Sequence, residues 1–409
     1  MKNLEMKIEK NCERLSDPLY QIENIFQKKE YDWPGDWEGR ALLAFCCHYA
    51  MGNEISCMRR LVTRLPENTN KDLYFGETFD GVIADEQQLS GHSWYLCGLV
   101  EYYKLFHSEN ALRIAKSTVE NLYLPVVNHY DKYPLDREKS GGVSGNITGI
   151  VNDWKLSSDV GCAFMCVDGL SRYYALTKDD RVKKLLEKLI EVFAGIDVIK
   201  YGFQTHTTLS CARGILLMYK ETKEEKYLTL AKETFAKYVE KGMTLTFENF
   251  NWFGREDSWT EPCAIADSLI LATELYKITD DEDYKALARK IWWNGLSYGQ
   301  RENGGAGPNS CVTKEQPILK ISMFEAPFCC TMRYAEGLKC VYENGFLTEE
   351  TDEKIHKDEY GRYFIGDKLL VEDLDRKFPQ APIYEVDGLR LIKIPTLVSE
   401  NGARLRVVF

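Results

Sequence analysis

The sequence contains no apolar run close to the roughly 20 residues that a membrane-spanning helix requires. Its first fifteen residues, MKNLEMKIEKNCERL, are charged throughout and lack the apolar centre of a secretory signal peptide. Hydrophobic residues make up 44% and charged residues 28% of the chain, ordinary values for a globular protein with a large core. These features exclude an integral membrane protein and predict a soluble, cytoplasmic one.

Positive charge is scarce, since 52 Lys and Arg stand against 63 Asp and Glu, for a formal net charge of −11. A surface of this sign repels nucleic acid and anionic membranes, so neither is expected as a partner. The NGGAG run at residues 303–307 follows no predicted strand and has no Walker lysine, so it is not a phosphate loop. Small neutral or cationic substrates stay open, as does a homodimer.

The thirteen cysteines do not resemble a secreted disulfide framework, because their number is odd and their spacings are irregular. Two of the spacings are adjacent pairs, Cys46–Cys47 and Cys329–Cys330, and adjacent cysteines rarely bridge each other. We therefore expect reduced thiols that are available for packing or for metal binding.

Helical hairpins recur along the chain. In each, an apolar, small-residue helix ends in a tyrosine, a short acidic turn follows, and an amphipathic helix comes next. The tyrosine and the acidic residue fall at Tyr174/Asp179, Tyr219/Glu224 and Tyr276/Asp281, at irregular periods of roughly 45–60 residues. An open solenoid or a closed double ring would accommodate such hairpins, and a first helix that is apolar all round favours the closed ring.

The segments between hairpins are rich in Gly, Asn and Trp, unlike ordinary polar connections. We expect them to line one mouth of the ring, at residues 33–37, 85–92, 141–159, 202–208, 244–262 and 303–311. After about residue 360 the pattern changes to short, β-branched runs separated by turns. The sequence thus predicts a helical domain over 1–354 and a short β-rich segment over 355–409.

Two stretches carry residues that can bind a metal. Glu261 and Cys263 form a Glu-x-Cys immediately before a predicted helix, and Cys329–Cys330 lie before or within another. Three cysteines and one carboxylate can form a tetrahedral zinc site. Alternatively, the cysteines pack as small apolar residues and Glu261 interacts with the helix dipole.

Glu248 is surrounded in sequence by Phe247, Phe250 and Trp252, an apolar setting that raises a carboxyl pKa as a general acid requires. An ordinary surface-loop glutamate is the alternative. His92 and His206 open inner helices after polar loops, at the predicted mouth, unless each of them caps its helix. Trp252 is one of several tryptophans near loop ends on which a sugar could stack.

The segments WPGDWEGR, DEQQLSGHSWYL, QTHTTL, NWFGREDSWTEPCAIADS and FCCTMR resemble the β-L-arabinofuranosidase family, glycoside hydrolase family 127. The resemblance covers approximately residues 30–345. It implies an (α/α)6 barrel, with a zinc ion held by Glu261, Cys263, Cys329 and Cys330. Thr331-Met332-Arg333 follows the cysteine pair where the family commonly has Pro-Pro-Asn, and Arg333 could meet an acidic sugar.

The same resemblance implies retaining hydrolysis of a glycoside or small oligosaccharide, with Cys329 as nucleophile and Glu248 as acid/base. His92 and His206 match histidines that contact the sugar. Two other functions stay open. One is another helical-barrel carbohydrate enzyme, such as a sugar epimerase or an unsaturated-uronide hydrolase, which would use the histidines and a carboxylate. The other is a non-catalytic sugar-binding or scaffold protein.

Overall fold

The computed structural model describes residues 2–27, 33–137, 143–349, 354–373, 382–393 and 405–407. Residues 141–142 of the predicted mouth segment and residues 374–381, 394–404 and 408–409 of the predicted β segment lie outside these ranges. The described helices are α1 Lys2–Leu15, α2 Ile22–Ile25, α3 Asp36–Ala50, α4 Met58–Asn68, α5 Glu86–Phe106, α6 Glu109–Thr118, α7 Cys166–Thr177, α8 Asp180–Ala194, α9 Thr205–Thr222, α10 Glu225–Lys241, α11 Pro262–Thr279, α12 Glu282–Lys290, α13 Ser297–Gly299 and α14 Cys330–Glu343.

The described strands are β1 Ala84–Asp85, β2 Ile147–Val151, β3 Trp154–Ser157, β4 Ile318–Leu319, β5 Ile355–Lys357, β6 Tyr363–Ile365, β7 Lys368–Asp373, β8 Ile383–Val386, β9 Leu389–Lys393 and β10 Leu405–Val407. None of the described helices has both the length and the apolar character needed to cross a bilayer.

The hairpin repeat has a local structural cause. Each apolar helix ends where a residue with positive φ donates its backbone N–H to the carbonyl of the repeated tyrosine. These residues are Lys178 (φ 56°), Lys223 (φ 61°) and Asp280 (φ 55°). In two of the hairpins an aspartate, Asp179 or Asp281, then caps the next helix through its side chain. The same turn chemistry therefore repeats at each hairpin.

The chain divides into two compact units, unit 1 consisting of Met1–Arg14 and Tyr238–Phe409, and unit 2 of Leu15–Lys237. The predicted division at residue 355 remains a prediction, and the β segment lies within unit 1. In unit 2 the apolar helices α3, α5, α7 and α9 pack against one another in order. Their burial on all sides, beside half-exposed α8, confirms the predicted inner and outer roles of the paired helices.

Small residues allow the inner helices of unit 2 to approach closely. A Cβ added at Gly214 of α9 would lie 2.5 Å from the Val167 carbonyl oxygen of α7. A Cβ at Gly169 of α7 would lie 2.5 Å from the Ser93 carbonyl oxygen of α5. No side chain fits at such distances, which explains the glycine content of these otherwise apolar helices.

The segment predicted as a mouth loop at 141–159 contains a β-hairpin instead of irregular chain. Strands β2 and β3 pair antiparallel, and β3 pairs parallel with β1. Trp154 of β3 is fully buried, edge-on against Tyr130 and Tyr133. The aromatic side chain anchors the hairpin, so a stretch rich in Gly, Ser and Asn is ordered by a few buried rings.

In unit 1 the C-terminal strands form a seven-stranded sheet with the order β4-β10-β7-β6-β5. Strand β9 also pairs with β7, and β8 pairs with β9. The strands predicted after residue 360 are thus confirmed. Their core consists of Tyr363, Ile365, Leu370 and Leu391. Strand β4 lies between α13 and α14 in the sequence, and it pairs with β10. The sheet therefore includes a strand from the helical part of the chain.

Candidate active site

Four side chains of unit 1 converge as a possible metal centre. Glu261, Cys263, Cys329 and Cys330 each offer one donor atom, and all four atoms lie within 4.8 Å of one another. The Cys263 and Cys330 sulfurs are 3.7 Å apart, and those of Cys329 and Cys330 are 3.5 Å apart. Tetrahedral zinc with Zn–S bonds of about 2.3 Å places sulfurs about 3.8 Å from each other. The donor set therefore fits zinc.

Two helix N-termini bring these ligands together. Glu261 is the N-cap residue of α11 and Cys263 lies in its first turn, while Cys329 is the N-cap residue of α14 and Cys330 its first residue. The helices α11 and α14 pack on each other. Helix N-termini favour negative charge, so both helices stabilise a carboxylate and thiolates at this position.

A buried ion pair links α11 to α14 one turn below the ligands. Arg333 donates to Asp267 and also meets Glu336, and the Arg333 and Asp267 side chains have no solvent exposure. Asp267 follows Cys263 by four residues, and Arg333 follows Cys329 by four. The pair therefore fixes the relative position of the two ligand-bearing turns. Contact between Arg333 and an acidic sugar stays a prediction, and it would require this buried ion pair to open.

Burial raises the pKa of the Cys330 thiol well above its usual value, and the neighbouring Cys263 and Cys329 raise it further. A divalent cation bound among these sulfurs would convert them to thiolates. The Arg301 guanidinium lies close enough for its charge to interact with Cys330. Arg301 therefore contributes positive charge near the cluster.

Glu248 is fully buried in the same unit, and three neutral groups donate hydrogen bonds to its carboxylate. Asn309 Nδ2 and Thr260 Oγ1 lie 2.8 and 3.2 Å from Oε1, and Thr246 Oγ1 lies 2.8 Å from Oε2. Burial raises the pKa of Glu248 to about 7, against the lowering effect of these donors and of Arg301. Glu248 is thus buried with a raised pKa, as predicted, although the groups that contact its carboxylate are polar, and the surface-loop alternative is excluded.

The turn that carries Glu248 has a strained backbone. Phe247 adopts φ 63°, a conformation that is unusual for a bulky aromatic residue. The guanidinium of Arg362 from the β segment lies 4.6 Å from the Phe247 ring and donates to the Leu245 carbonyl at 2.7 Å. Phe364 packs edge-on against the same ring. The C-terminal sheet therefore supports the loop that positions Glu248.

Glu248 and the metal cluster belong to one connected loop system. The backbone N–H of Glu261 donates to Asn249 Oδ1 at 2.7 Å, and Thr260, which contacts Glu248, directly precedes Glu261. Segments 244–262 and 303–311, both predicted to line the mouth, thus meet at Glu248 through Asn309.

Arg301 and Asn309 are site residues that the sequence analysis missed. Arg301 has no solvent exposure and donates to the carbonyls of Gly299, Gly307 and Phe324, as well as to Asn309 Oδ1. The sequence predicts 303–311 as a mouth segment but singles out neither residue. An arginine beside a Gly-rich turn is the one signal that could have indicated a buried organising cation.

His92 lies in unit 2, fully buried, with both ring nitrogens bonded to backbone. The Phe75 N–H donates to Nε2 at 2.9 Å, so Nδ1 carries the proton and donates to the Gln88 carbonyl at 2.7 Å. Burial lowers the pKa of His92 to about 4, which keeps the ring neutral. Contact between His92 and a sugar, which stays a prediction, would require the Phe75 hydrogen bond to open.

His206 also lies in unit 2, at the start of α9, and is 1% exposed. Its ring stacks on Trp94 with centroids 5.5 Å apart, and Arg40 lies over the same indole. In unit 1, Trp252 is equally buried and packs edge-on against Trp259 at 5.1 Å. A role for either residue in substrate binding stays a prediction.

A cavity of about 730 Å³ opens in unit 2 above His92. Gly35 and Phe75, which line it, both contact the His92 ring. Its wall combines aromatic faces with hydrogen-bond acceptors, among them Trp33, Trp37, Phe79, Asp36 and Gln88. The segments 33–37 and 85–92, predicted to line a mouth, thus border a cavity of ligand size.

No protein-family model matches this chain, and no curated protein matches it. Solved structures do match. A GH127 β-arabinofuranosidase superposes with a TM-score of 0.55 at 12% identity, over 94% of this chain and 63% of that one. A heparin-specific unsaturated glucuronyl hydrolase gives 0.55 at 13% identity, over 84% and 97%. A sugar epimerase from a ruminal bacterium gives 0.54 at 11% identity, over 83% and 99%.

The fold is an (α/α)6 barrel. The predicted fold class, mainly helical with a small C-terminal β segment, is confirmed. At these identities the likeness concerns the fold alone, and the chain spans under two thirds of the β-arabinofuranosidase that it matches. Barrels of this kind serve several chemistries, so function has to be argued from the site.

Proposed function

We propose that this chain is a zinc-dependent retaining glycoside hydrolase with a cysteine nucleophile, acting on β-L-arabinofuranosides or a related sugar. The observation that carries the proposal is the convergence of Glu261 with Cys263, Cys329 and Cys330, whose spacing fits zinc. Glu248, with a pKa of about 7, lies in the same loop system. A carboxyl of that pKa can give up a proton and take it back near neutral pH.

Glu261, Cys263, Cys329 and Cys330 would hold the metal. When bound, zinc supplies positive charge that keeps the thiols ionised at neutral pH. The sulfur of Cys329 is the proposed nucleophile, because Cys329 is the most exposed of the three cysteines at 9%. Its backbone conformation before α14, φ −145° and ψ −68°, separates it from the regular helix that holds Cys330.

The proposed reaction has two steps. First, Cys329 Sγ attacks the anomeric carbon and a C–S bond forms as the glycosidic C–O bond breaks, while Glu248 gives its proton to the leaving oxygen. Second, Glu248 takes a proton from water, the water oxygen bonds to the anomeric carbon, and the C–S bond breaks to restore the thiolate. Two displacements retain the anomeric configuration.

Carbohydrate as substrate is supported by the structural neighbours, which include glycosidases and a sugar epimerase. Sugar contacts by His92, His206 and Trp252 remain part of the proposal, and each needs a local opening of its present packing. An epimerase or uronide hydrolase would leave the cysteine and glutamate cluster without a role.

The test combines metal analysis with a screen of nitrophenyl glycosides, including furanosides of both hands. We expect stoichiometric zinc, and release of nitrophenol that falls about 10³-fold or more in Cys329→Ala. Cys340→Ala, a buried cysteine on the same helix α14, is the matched control and should retain activity. Unaltered turnover by Cys329→Ala, or full activity in zinc-free protein, would refute the proposal.

A further inference from the structure

We propose that Arg301, Asn309 and Thr260 act as positioning residues that hold Oε1 of Glu248 as a permanent acceptor, so that the exchangeable proton resides on Oε2, facing Thr246. The inference assigns the two oxygens of the carboxyl different tasks. It rests on the proposed function for its catalytic meaning, but its geometry is independent of any substrate.

Asn309 can only donate to Oε1. Its Nδ2 lies 2.8 Å from that oxygen, and an amide nitrogen carries hydrogens and accepts nothing. The amide cannot flip, because Arg301 Nη2 donates to Asn309 Oδ1 at 2.9 Å and a flipped amide would turn N–H toward N–H. Arg301 is in turn fixed by the carbonyls of Gly299, Gly307 and Phe324.

Thr260 is restricted in the same way. Its Oγ1 accepts the backbone N–H of Asn309 at 2.9 Å, and its hydroxyl hydrogen is directed at Oε1, 3.2 Å away. A proton on Oε1 would face the Asn309 N–H, which cannot accept it, and Thr260 Oγ1, which could accept it only by turning its own hydrogen away from Oε1. One buried donor would be left without a partner, at a cost that the fold avoids when the proton is elsewhere.

The surroundings of Oε2 accept either protonation state. Thr246 Oγ1 lies 2.8 Å from Oε2 and 3.0 Å from Thr244 Oγ1, and the latter accepts the Glu248 N–H at 3.1 Å. When Glu248 is ionised, Thr246 donates to Oε2. When Glu248 is protonated, Oε2–H donates to Thr246, whose own hydrogen turns to Thr244. Hydroxyls rotate freely enough to make this exchange without losing a bond.

The other titratable or charged groups that interact with Glu248 are Arg301, Tyr238, Tyr298 and Cys311. The hydrogen bonds described to the two carboxyl oxygens come from Thr246, Thr260 and Asn309, and the assignment depends on these three. In the proposed reaction the leaving-group oxygen would have to meet Oε2, which the Thr246 hydroxyl contacts in this structure.

Infrared difference spectroscopy between pH 5 and pH 9 tests the assignment on the full-length holoprotein. The carboxyl C=O band is assigned by its loss in Glu248→Gln. If Oε1 is the carbonyl oxygen of the acid form, Asn309→Ala and Thr260→Val should each move this band to higher frequency, since a donor to the C=O is removed. Thr260→Ser should restore the wild-type position.

Thr246→Val distinguishes the opposite assignment. With the proton on Oε2, Thr246→Val removes an acceptor of the O–H and should leave the carbonyl band less affected than Asn309→Ala does. The same samples report the midpoint of Glu248, which should rise by about one pH unit in Asn309→Ala, because a hydrogen bond to the ionised form is lost. A band that moves in Thr246→Val and stays in place in Asn309→Ala would overturn the inference.

The readout does not depend on turnover. An inactive protein with the expected band shifts would reject the proposed hydrolase and keep the oxygen assignment. An active protein without those shifts would do the reverse.

Discussion

Glu248 is a carboxylate whose described hydrogen bonds come from two hydroxyls and an amide, and the charge of Arg301 also acts on it. Three hydrogen bonds would hold an exposed carboxyl well below its usual pKa. Here the loss of water outweighs them, because solvation of the charged form is lost entirely. Glu248 therefore has a pKa of about 7, which suits a catalytic acid/base residue, but its ionised form destabilises the folded protein.

That cost predicts a pH dependence of stability. The native pKa of Glu248 is about 7 and the unfolded value is 4.5, so the native state binds more protons between these values. The free energy of unfolding should therefore fall as pH rises from 4.5 to 7, by about 3 kcal/mol from this residue. In Glu248→Gln this fall should be absent, as measured by urea unfolding at pH 5 and pH 8.

The control for this experiment is Glu240→Gln, which changes an exposed glutamate of α10. It should follow the wild-type pH dependence. Equal slopes for wild type and Glu248→Gln would show that Glu248 does not titrate in this range.

At the scale of elements, the metal cluster depends on how α11 and α14 pack. Gly337 of α14 faces Leu296 and Ala266, since a Cβ there would lie 2.3 Å from Leu296 Cδ2. The buried pair of Arg333 and Asp267 then sets the register of the two helices. The close packing of α11 on α14 and the ion pair between them bring Glu261 and Cys263 close enough to Cys329 and Cys330 for all four to bind one ion.

Arg333→Met should destabilise the protein by about 3–5 kcal/mol, because it leaves the buried Asp267 carboxylate without its partner. The double variant Arg333→Met/Asp267→Leu removes both charges and should recover most of this loss. Urea unfolding midpoints measure the effect, and zinc content reports whether the ligand turns keep their register. If the single variant is as stable as the double one, the ion pair is not what joins the helices.

At the scale of the whole molecule, a metal that binds only the folded chain should stabilise it. At a free concentration of 100 times its dissociation constant, zinc would add about 2.7 kcal/mol to the free energy of unfolding. Removal of zinc by a chelator should therefore lower the melting temperature by several degrees, and added zinc should restore it.

Glu261→Gln/Cys263→Ser, which removes two ligands, provides the comparison for the chelator experiment. Its melting temperature should not change with chelator or with zinc. A wild-type protein that is equally indifferent to both would argue against a metal centre at these residues.

The sequence by itself determined the helical hairpins, the inner and outer helices, the C-terminal strands and the four residues of the candidate metal centre. These features are local. A hydrophobic period of 3.6 residues in a helix, an alternation of apolar and polar residues in a strand, and a turn after each repeated tyrosine all depend on neighbouring residues only. The ligands were also recognisable because a Glu-x-Cys and a Cys-Cys are short motifs, although they lie 67 residues apart along the chain.

Only the tertiary structure decided which groups surround the carboxyl of Glu248. Asn309 lies 61 residues from Glu248 in the sequence. Arg301 orients Asn309 by donating a hydrogen bond to its Oδ1, and the turn that joins these two residues has no recognisable sequence pattern. Tertiary packing likewise placed Arg333 in an ion pair and bound both nitrogens of His92 to backbone. Burial and hydrogen-bond partners arise from contacts between distant segments, and no local periodicity encodes them.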